Sequence, residues 1–598
     1  MRKFLWLVPA VFVVVVSAAD ISPKAYVDHV RYLASPELKG RATGTPELEK
    51  AAAYIAAQFK SFGLKPIPGA PGYELPFPVT INARLGTNNR FQYRDGGTTA
   101  ALPSSLVADR DFIPFSFSST GKFAGPVIFA GYGLTTPGAH GYDDYEGIDV
   151  KDKIVLILRH EPKEGKEVSQ DASLANKAVN AKMHGARGVI LVNDTWAHNG
   201  EDSLQKFGTV SGPKESGVFF VQVKTATAEQ WLKAEGKDLR ELWAAIDRDR
   251  RPQSFALSKL NVEMTVDLKH DEKTVHNVAA YLPGATKEYV IIGAHYDHLG
   301  MGDDHSLAPA SVGKEVHPGA DDNASGTAGV LELAHWFSKH PPGKRGILFL
   351  TFAGEELGLL GSENYASHPL LPITDAVAMI NMDMIGRIRE GKVYLGGTGT
   401  GSTFNKLLEE IKAAAPLRIE LSEKTGYGAS DHTSFTIKQV PVLFLFSGLH
   451  GDYHKPSDTA DKIEGENAAK LLDYVASLTD RLANDDARPQ FVRLTEPTRP
   501  IGPASSGSGG YGPAFGSIPD FNEPPKGVRF ADVRDGTPAA KAGLKAGDIL
   551  IEFGGKEIAN LYDFTFALRS HKAGETVLVK VLRGDQTIEA KVLLTERR

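Results

Sequence analysis

The sequence predicts an α/β fold in which a mostly parallel sheet is covered by helices on both faces. Four short apolar runs indicate buried strands, at residues 289–294, 346–352, 376–382 and 440–446. Helical patterns lie between or after these runs, at 324–339, 402–415 and 467–484. Alternation of strand and helix is typical of a parallel sheet with two helical layers. Functional side chains of such folds gather beyond the carboxyl ends of the strands.

The first 19 residues are predicted to be a signal peptide. Arg2 and Lys3 precede an apolar run at 4–16 and the small residues 17–19, which is the order found in secretory signals. The run is shorter than the roughly 20 residues that span a bilayer, so cleavage is favoured over a permanent anchor. No other segment is long and apolar enough to span. We therefore expect an exported chain, periplasmic or secreted, without a membrane span in its mature form.

The rest of the 598-residue chain is too long for one core and divides into several parts. These are the first part of the main domain at 20–105, an insert at 106–255, the second part of the main domain at 256–484, a linker at 485–512 and a C-terminal module at 513–598. Helical patterns at 47–62, before Gly63, and at 171–184 and 227–250 belong to the first part and the insert. The linker is rich in proline, glycine and serine.

Composition narrows the chemistry. The net charge is -6, with 67 basic and 73 acidic residues, and no basic stripe is interleaved with aromatic residues, so we expect no nucleic-acid partner. The chain has no cysteine, which excludes disulfides, thiolate metal sites and a cysteine nucleophile. Any metal must be bound by imidazoles and carboxylates, and these ligands suit zinc.

Polar residues follow the predicted strands in one ordered set. They are His295 and Asp297 in YVIIGAHYDHLG, Asp321 and Asp322 in HPGADDNASG, Glu355 and Glu356 in ILFLTFAGEELGLLGS, Asp383 in AVAMINMDMIG, and Tyr453 and His454 in PVLFLFSGLHGDYHKPSDT. Carboxylates crowded in a semi-buried place repel one another and need a cation. Two histidines and three carboxylates can hold two zinc ions if one carboxylate bridges them, and a further carboxylate can act as general base.

These motifs, with LASPELKGRATGT near the N-terminus, resemble the two-zinc aminopeptidase family of the secreted bacterial leucine aminopeptidases and, more distantly, of glutamate carboxypeptidase. The resemblance covers about 21–105 and 256–483 and implies the zinc exopeptidase fold. It implies that His295 and Asp383 bind one zinc ion, that Glu356 and His454 bind the other, and that Asp322 bridges them.

The same resemblance implies further roles. Asp297 corresponds to the carboxylate that orients the histidine ligand, Glu355 to the general base, and Tyr453 to a tyrosine that donates a hydrogen bond to the tetrahedral oxyanion. Other polar residues match no ligand position: His298, His305, His317 and His450 are expected in loops, Asp321 as a capping or loop residue, and Asp431 and His432 as residues lining the site. Arg387 either binds a substrate carboxylate or lies at the surface.

Two accessory modules resemble known domains. The insert resembles a protease-associated domain, through PVIFAGYGLTTPG, YEGIDVKDKIVLILR and ARGVILVND. The C-terminal module resembles a bacterial PDZ domain, through GVRFADVRDGTPAAKAGLKAGDILIEFGGKEI. A PDZ domain adds a peptide to a sheet edge and captures its C-terminal carboxylate, and 514–521 is the candidate for that loop and strand.

The predicted function is zinc-dependent removal of N-terminal residues from a peptide substrate. Carboxypeptidase action is the nearest alternative, because the same metal core supports it when cations bind the terminal carboxylate. A glutaminyl cyclase, with one zinc ion, and a noncatalytic receptor relative are further alternatives. Metal content distinguishes them: two zinc ions favour a peptidase, one a cyclase and none a receptor.

Overall fold

The computed structural model describes residues 21–95, 104–136, 142–162, 172–194, 202–208, 215–303, 305–412, 415, 417–494, 512–520, 524 and 526–596. The predicted signal peptide lies outside these ranges, as does residue 521 of the candidate PDZ segment. None of the helices within them combines the length and apolar character that crossing a bilayer requires.

The described strands form four sheets, one of which has only two strands. The helices are α1 (Pro23–Leu33), α2 (Pro46–Ser61), α3 (Leu174–Met183), α4 (Thr225–Ala234), α5 (Leu239–Asp249), α6 (Gly326–Lys339), α7 (Leu360–Ser367), α8 (Phe404–Ile411), α9 (His432–Ile437), α10 (Gly465–Asn484), α11 (Pro538–Lys541) and α12 (Leu561–Arg569). The strands are β1 (Glu74–Leu85), β2 (Arg90–Asp95), β3 (Ser104–Leu106), β4 (Phe112–Pro114), β5 (Gly121–Phe129), β6 (Thr135–Thr136), β7 (Tyr142–Asp143), β8 (Ile154–Leu158), β9 (Gly188–Val192), β10 (Phe219–Val223), β11 (Phe255–Val266), β12 (Leu268–Leu282), β13 (Tyr289–His295), β14 (Gly346–Phe352), β15 (Ala376–Met382), β16 (Lys392–Gly396), β17 (Arg418–Leu421), β18 (Val442–Phe446), β19 (Ser517–Pro519), β20 (Val528–Val533), β21 (Ile549–Phe553), β22 (Lys556–Glu557), β23 (Thr576–Arg583) and β24 (Gln586–Leu593).

The main domain is built on a sheet with the order β1-β12-β14-β13-β15-β18-β16-β17. Its four central strands, β14, β13, β15 and β18, are parallel, and antiparallel pairs occur toward the two edges. The central strands coincide with the four predicted apolar runs. The predicted α/β fold is therefore confirmed.

Helices cover both faces of this sheet because the central strands are apolar on both sides. Val290 and Ile292 of β13 pack into the core under α1, α2, α6 and α10. The alternate residues Tyr289 and Ile291 pack on the opposite side, with Phe435 of α9. This arrangement confirms the predicted two helical layers.

The start of the main domain differs from the prediction. Helix α1 was not predicted, although Ser22 caps it by accepting a hydrogen bond from the amide of Ala25. A short 3-10 turn, Pro36–Leu38, follows Ser35. The predicted charged helix 227–250 is two helices, α4 and α5, because the chain turns at Gly236, which has φ +73°.

The insert forms the second sheet, with the order β3-β2-β11-β5-β8-β9-β10-β4. This sheet includes β2 and most of β11, so it extends on both sides beyond the predicted limits of 106–255. The chain crosses between the first and second sheets twice at one place, where the Gly86 amide donates to the Asp267 carbonyl oxygen. A Cβ at Gly86 would lie 2.1 Å from the Asp267 carboxylate, so a larger residue at this crossing would require that side chain to move.

The C-terminal module is the third sheet, β19-β20-β21-β23-β24, with α11 and α12 and its own apolar core. Helix α12 packs against α3 of the insert, where Lys182 Nζ lies 2.6 Å from the buried Asp563 carboxylate. On another side of the module, Asp532 accepts a hydrogen bond from the Tyr427 hydroxyl of the main domain. The module thus contacts both other domains.

Candidate metal centre

The predicted ligands follow the carboxyl ends of neighbouring parallel strands. β13 ends at His295, Glu356 follows β14, and Asp383 directly follows β15. His454 lies in the loop after β18, and Asp322 lies just before α6. Because these strand ends meet at one edge of the sheet, residues far apart in sequence come together there.

Asp322 stands between the two histidines and turns one carboxylate oxygen toward each. Its Oδ1 lies 3.4 Å from His295 Nε2, and its Oδ2 lies 3.2 Å from His454 Nε2. Asp383 Oδ1 is 3.4 Å from His295 Nε2, and Glu356 Oε2 is 3.2 Å from His454 Nε2. We call His295, Asp383 and Asp322 the first subsite, and His454, Glu356 and Asp322 the second subsite.

The donor atoms and their spacing fit zinc. Two ligand atoms about 2.0–2.1 Å from one tetrahedral zinc ion lie roughly 3.3 Å apart. The distances from the histidine Nε2 atoms to the carboxylate oxygens of the two subsites are 3.2–3.4 Å. Asp383 Oδ1 is buried and accepts no hydrogen bond from any described residue. An unpartnered buried carboxylate oxygen is unfavourable, and a bound cation would supply its partner.

The electrostatics of the protein alone also call for positive charge. Burial lowers the pKa of His454, but the carboxylates of Glu356 and Asp322 raise it more, to about 11. Burial likewise opposes protonation of His295, yet Glu355 and Asp383 raise its pKa well above the ordinary value. Divalent cations would compensate the same carboxylates and leave the imidazoles neutral, as metal ligation requires.

Glu355 lies beside the first subsite. Its Oε2 is 3.9 Å from His295 Nε2, and its carboxylate belongs to the cluster that it forms with His295 and Asp383. Burial raises the pKa of Glu355 well above its ordinary value, and the neighbouring Glu356 carboxylate raises it further, whereas His295 lowers it. A carboxyl group in such surroundings is suited to taking up and releasing a proton.

Asp297, predicted to orient His295, also holds the glutamate loop. Its Oδ1 lies 3.7 Å from His295 Nδ1, and its backbone oxygen is closer, at 3.2 Å. The carboxylate accepts hydrogen bonds from the backbone amides of Glu355 and Glu356, at 3.1 and 3.4 Å, and from the Thr43 hydroxyl at 2.9 Å. One buried side chain therefore positions both glutamates and faces the Nδ1 side of His295, leaving Nε2 for a metal.

His454 is oriented by backbone groups. Its Nδ1 lies 2.8 Å from the His305 carbonyl oxygen, which directs Nε2 toward the second subsite. The Leu307 amide donates to the His454 carbonyl oxygen at 3.0 Å. His454 has φ +54°, a left-handed conformation that is costly for a residue with a Cβ. His305, expected to be an ordinary loop residue, thus contributes its carbonyl group.

Tyr453 lies beside the second subsite. Its ring stacks on the His454 ring, with centroids 3.9 Å apart and an interplanar angle of 25°. Burial raises the pKa of the Tyr453 hydroxyl, and the nearby carboxylates, beginning with Asp322, raise it further. The phenol therefore stays protonated at neutral pH and can donate a hydrogen bond.

Arg41 is a functional residue that the sequence analysis did not single out, although it lies in LASPELKGRATGT. Its buried guanidinium donates to the carbonyl oxygens of Tyr296, Leu33, Pro318 and Gly319. These contacts tie the loop after β13 to the loop before Asp322. They could not be found from the motif, because the partners are backbone atoms far away in sequence.

Asp458 was also missed. Its buried carboxylate accepts hydrogen bonds from the amides of Asp321 and Asp322, at 3.0–3.2 Å. Burial raises the pKa of Asp458 to about 6. Asp383 has a comparable support, since Ser430 Oγ donates to Asp383 Oδ2 at 2.8 Å. Both contacts fix a predicted ligand in place.

Asp321 and Arg387 have structural partners. Asp321 accepts a hydrogen bond from the Gly386 amide at 2.7 Å, and its Oδ2 lies 3.1 Å from His450 Nε2. Arg387 Nη1 lies 2.6 Å from Asp452 Oδ2 and 3.2 Å from His450 Nδ1. Neither of the two outcomes expected for Arg387 describes this half-buried ion pair.

The remaining polar residues that the sequence analysis named are Asp431, His432, His317 and His298. Asp431 and His432 are buried, and neither side chain has a hydrogen-bond partner among the described residues; His432 stacks on Phe444 at 4.3 Å. His317 Nε2 lies 2.7 Å from Ser306 Oγ within its loop. His298 lies in a loop, as expected, and is buried against the second subsite, with Nδ1 2.7 Å from Glu356 Oε1.

Comparison with known families gives three matches along the chain. The profile of peptidase family M28 matches residues 277–479, the PA domain profile matches 123–231, and the PDZ domain profile matches 501–594. The first match contains all five predicted metal ligands. The second lies in the insert, and the third covers residues 513–594 of the C-terminal module and 501–512 of the predicted linker.

Individual relatives are similar over parts of the chain. Aminopeptidase YwaD of Bacillus subtilis (strain 168) is 26% identical over 372 residues, which cover 60% of this chain and 70% of YwaD. A probable leucine aminopeptidase of Trichophyton verrucosum (strain HKI 0517) is 35% identical over 196 residues, which cover 31% of this chain and 49% of that protein. The solved structure of BSAP, a zinc aminopeptidase from Bacillus subtilis, has a TM-score of 0.48 and 21% identity, and the match covers 79% of this chain and 99% of that one. The chain thus spans about half the length of the fungal relative and more of the bacterial proteins.

Proposed function

We propose that this chain, which belongs to peptidase family M28 and carries a PA domain and a PDZ domain, is a zinc-dependent aminopeptidase that releases N-terminal residues from peptides. The observation that carries the proposal is the placement of Asp322, whose two carboxylate oxygens face His295 Nε2 and His454 Nε2 at 3.4 and 3.2 Å. One carboxylate shared by two ligand clusters is the arrangement that a pair of metal ions requires.

Each subsite would hold one zinc ion. His295 and Asp383 would bind the first ion, His454 and Glu356 the second, and Asp322 both. Zinc bound there supplies Lewis acidity, which polarises a peptide carbonyl and acidifies water. Three other side chains hold the ligands in place. Asp297 accepts a hydrogen bond from the Glu355 amide and Asp458 from the Asp322 amide, and Ser430 donates to the Asp383 carboxylate.

Glu355 moves the proton. Its carboxylate lies beside the first subsite without being one of the five ligands, so it can take a proton from the attacking water and deliver it to the leaving amine. Tyr453, whose ring stacks on His454, would donate its phenolic hydrogen to the oxyanion that forms on the substrate.

Recognition of a free amino group fits the charge of the site better than recognition of a carboxylate. The side chains that surround the site are mainly carboxylates, which favours a cationic amine over a second carboxylate; they belong to Asp297, Asp322, Glu355, Glu356 and Asp383. Arginines that contact the site loops have other partners. Arg41 donates to four carbonyl oxygens, Arg387 pairs with Asp452, and Arg389 donates to the Leu449 carbonyl oxygen. A carboxypeptidase needs such a cation for the terminal carboxylate.

The PDZ domain is proposed to bind the C-terminus of a peptide. β19 pairs with β20 on one edge, and within the described residues no strand pairs with its other edge, so a peptide can add there. Ala514 does not fit the predicted carboxylate loop, because its amide donates to the Thr595 carbonyl oxygen. Export, periplasmic or secreted, is proposed from the N-terminal signal pattern alone.

Metal analysis combined with a matched substrate panel tests the proposal. The purified full chain should contain two zinc ions and hydrolyse aminoacyl amides and unblocked peptides. N-terminal acetylation should abolish cleavage, whereas C-terminal amidation should not. Cleavage that requires a free C-terminus would instead support the carboxypeptidase alternative, and one zinc ion with cyclisation of N-terminal glutamine would support the cyclase.

A further inference from the structure

His298 lies in the protein interior against the second subsite. Its side chain is 0% exposed, and Nδ1 lies 2.7 Å from Glu356 Oε1. The other oxygen of the same carboxylate, Oε2, lies 3.2 Å from His454 Nε2. Two imidazoles therefore contact the two oxygens of one carboxylate, and only His454 was assigned as a ligand.

The surrounding chain prevents the His298 ring from turning away. The His298 amide donates to the Arg41 carbonyl oxygen at 3.2 Å. Gly319 packs on the ring so closely that a Cβ there would lie 2.4 Å from His298 Cγ. The carbonyl oxygen of Gly319 is in turn held by the Arg41 guanidinium at 2.9 Å.

The distances separate a hydrogen-bonding role from a ligand role. A separation of 2.7 Å is that of a strong N–H to carboxylate hydrogen bond. Two ligands of one tetrahedral zinc ion would lie roughly 3.3 Å apart. The 2.7 Å separation is shorter than that spacing, and the 3.9 Å separation of the same Nδ1 from Asp322 Oδ2 is longer.

We propose that His298 is a positioning residue, which donates from Nδ1 to Glu356 Oε1 and thereby keeps Oε2 directed at the second subsite. The inference rests on the proposed zinc site and concerns a residue that it leaves unassigned. Loss of this hydrogen bond leaves a buried carboxylate oxygen unsatisfied and lets the Glu356 carboxylate rotate about its last bond. The zinc affinity of the second subsite should fall, because outer partners of metal ligands typically contribute 10–100-fold to affinity.

The test compares His298→Leu with His298→Asn in the full chain. Leucine keeps an apolar volume and removes the donor, whereas the asparagine amide nitrogen can occupy the place of Nδ1. His317→Leu is the matched control, because His317 is a buried histidine nearby that contacts Ser306 and no ligand. The metal-free protein is titrated with zinc in competition with a chromogenic chelator, and folding of each variant is checked by thermal unfolding.

We expect wild type to bind two zinc ions, and His298→Leu to bind the weaker one 10–100-fold less tightly. His298→Asn should recover most of the loss, and His317→Leu should bind as wild type does. If His298→Leu does not fold, His298→Gln replaces it, because the glutamine amide lies beyond the position of Nδ1 and should not restore affinity.

Three results would overturn the inference. If wild type binds two zinc ions and His298→Leu binds both with unchanged affinity, the positioning role is overturned and the proposed function is not. The protein can also be loaded with cobalt in place of zinc. If His298→Asn then differs from wild type in its cobalt absorption spectrum and binds metal weakly, His298 is a metal ligand and not a positioning residue. A wild-type chain that binds no zinc would overturn the proposed function, and the positioning role with it.

Discussion

At the residue scale, the proposed site assigns proton transfer and metal binding to two neighbouring glutamates. Glu355 and Glu356 are adjacent in sequence, and Asp297 holds both of their amides. Only Glu356 faces His454 Nε2, at 3.2 Å, while Glu355 lies beside the first subsite. Neighbouring side chains thus point to different partners from one anchored turn.

Glu355→Gln should keep both zinc ions and lower kcat by about 10²–10⁴-fold, because general acid–base catalysis contributes that much. The amide has nearly the shape of the carboxylate but cannot take up the proton. Steady-state kinetics with metal analysis of the same sample checks this. Glu315→Gln is the control, since it changes an exposed glutamate in a site-side loop. Wild-type activity in Glu355→Gln would disprove the general-base assignment.

Arg41→Met should lower the free energy of unfolding by about 3 kcal/mol or more, because it leaves several buried carbonyl oxygens unpaired at roughly 1–3 kcal/mol each. The guanidinium holds four of them between the site loops. Urea unfolding at fixed zinc concentration measures the loss. Arg31→Met, at an exposed position of α1, should change stability little, and equal loss in both variants would refute the stated cause.

At the element scale, the contact between α3 and α12 joins the insert to the C-terminal module. Lys182 Nζ lies 2.6 Å from the Asp563 carboxylate, which is fully buried. Nearby, Lys556 donates to the Met183 carbonyl oxygen and Asn560 to that of Glu215. A buried carboxylate that loses its charged partner is strongly unfavourable, so Lys182 stabilises this helix pair.

Lys182→Met should loosen this helix pair. We expect faster amide hydrogen exchange in α3 and α12 and unchanged exchange in the central strands of the main sheet, because those strands share no contact with Lys182. Lys233→Met in α4 serves as the control, since Lys233 is exposed. Unchanged exchange in α3 and α12 would show that other contacts suffice to hold the module.

At the scale of the whole molecule, the catalytic domain is complete without the C-terminal module. All five predicted ligands and Glu355 come from the main sheet and its loops, and the module has its own core. Asp532 of the module contacts Tyr427 of the main domain and Arg493 of the predicted linker. Tyr427 lies in the loop that leads to Ser430, and Ser430 supports Asp383.

Deletion of residues 513–598 should therefore leave kcat for small aminoacyl amides nearly unchanged. Small substrates need only the metal centre and its proton donor and acceptor groups. Kinetics of the truncated and full chains, at equal zinc content, tests this. Tyr427→Phe in the full chain is the matched variant that removes only the contact to Asp532. Loss of activity in the truncated chain, with Tyr427→Phe active, would mean that the module completes the site.

Removal of zinc should destabilise the whole main domain, because the buried carboxylates would lose their compensating cations. A ligand that binds only the folded state stabilises it by about 2.7 kcal/mol at 100 times its Kd. The apparent Tm should fall in chelator and return, with activity, on addition of zinc. Full activity or an unchanged Tm in metal-free protein would contradict the proposed site.

The α/β fold, the four central strands, the insert and the C-terminal module could all be predicted from the sequence. Apolar runs of strand length and their spacing carry this information locally, as they do for β14 and β15, whose predicted and observed bounds coincide. It also indicated which imidazoles and carboxylates follow the strand ends, because the chain order of the motifs matches the order of the strands.

How these imidazoles and carboxylates face one another could be seen only in the folded structure. The oxygens of Asp322 are divided between two histidines, and Arg41, His298 and Asp458 support the site through contacts with residues far away in sequence. Many of these contacts are made with backbone atoms. Every residue has such atoms, so the contacts cannot be predicted from a pattern of side chains. They depend on the path of the loops and on burial, and both arise only when the sheet assembles.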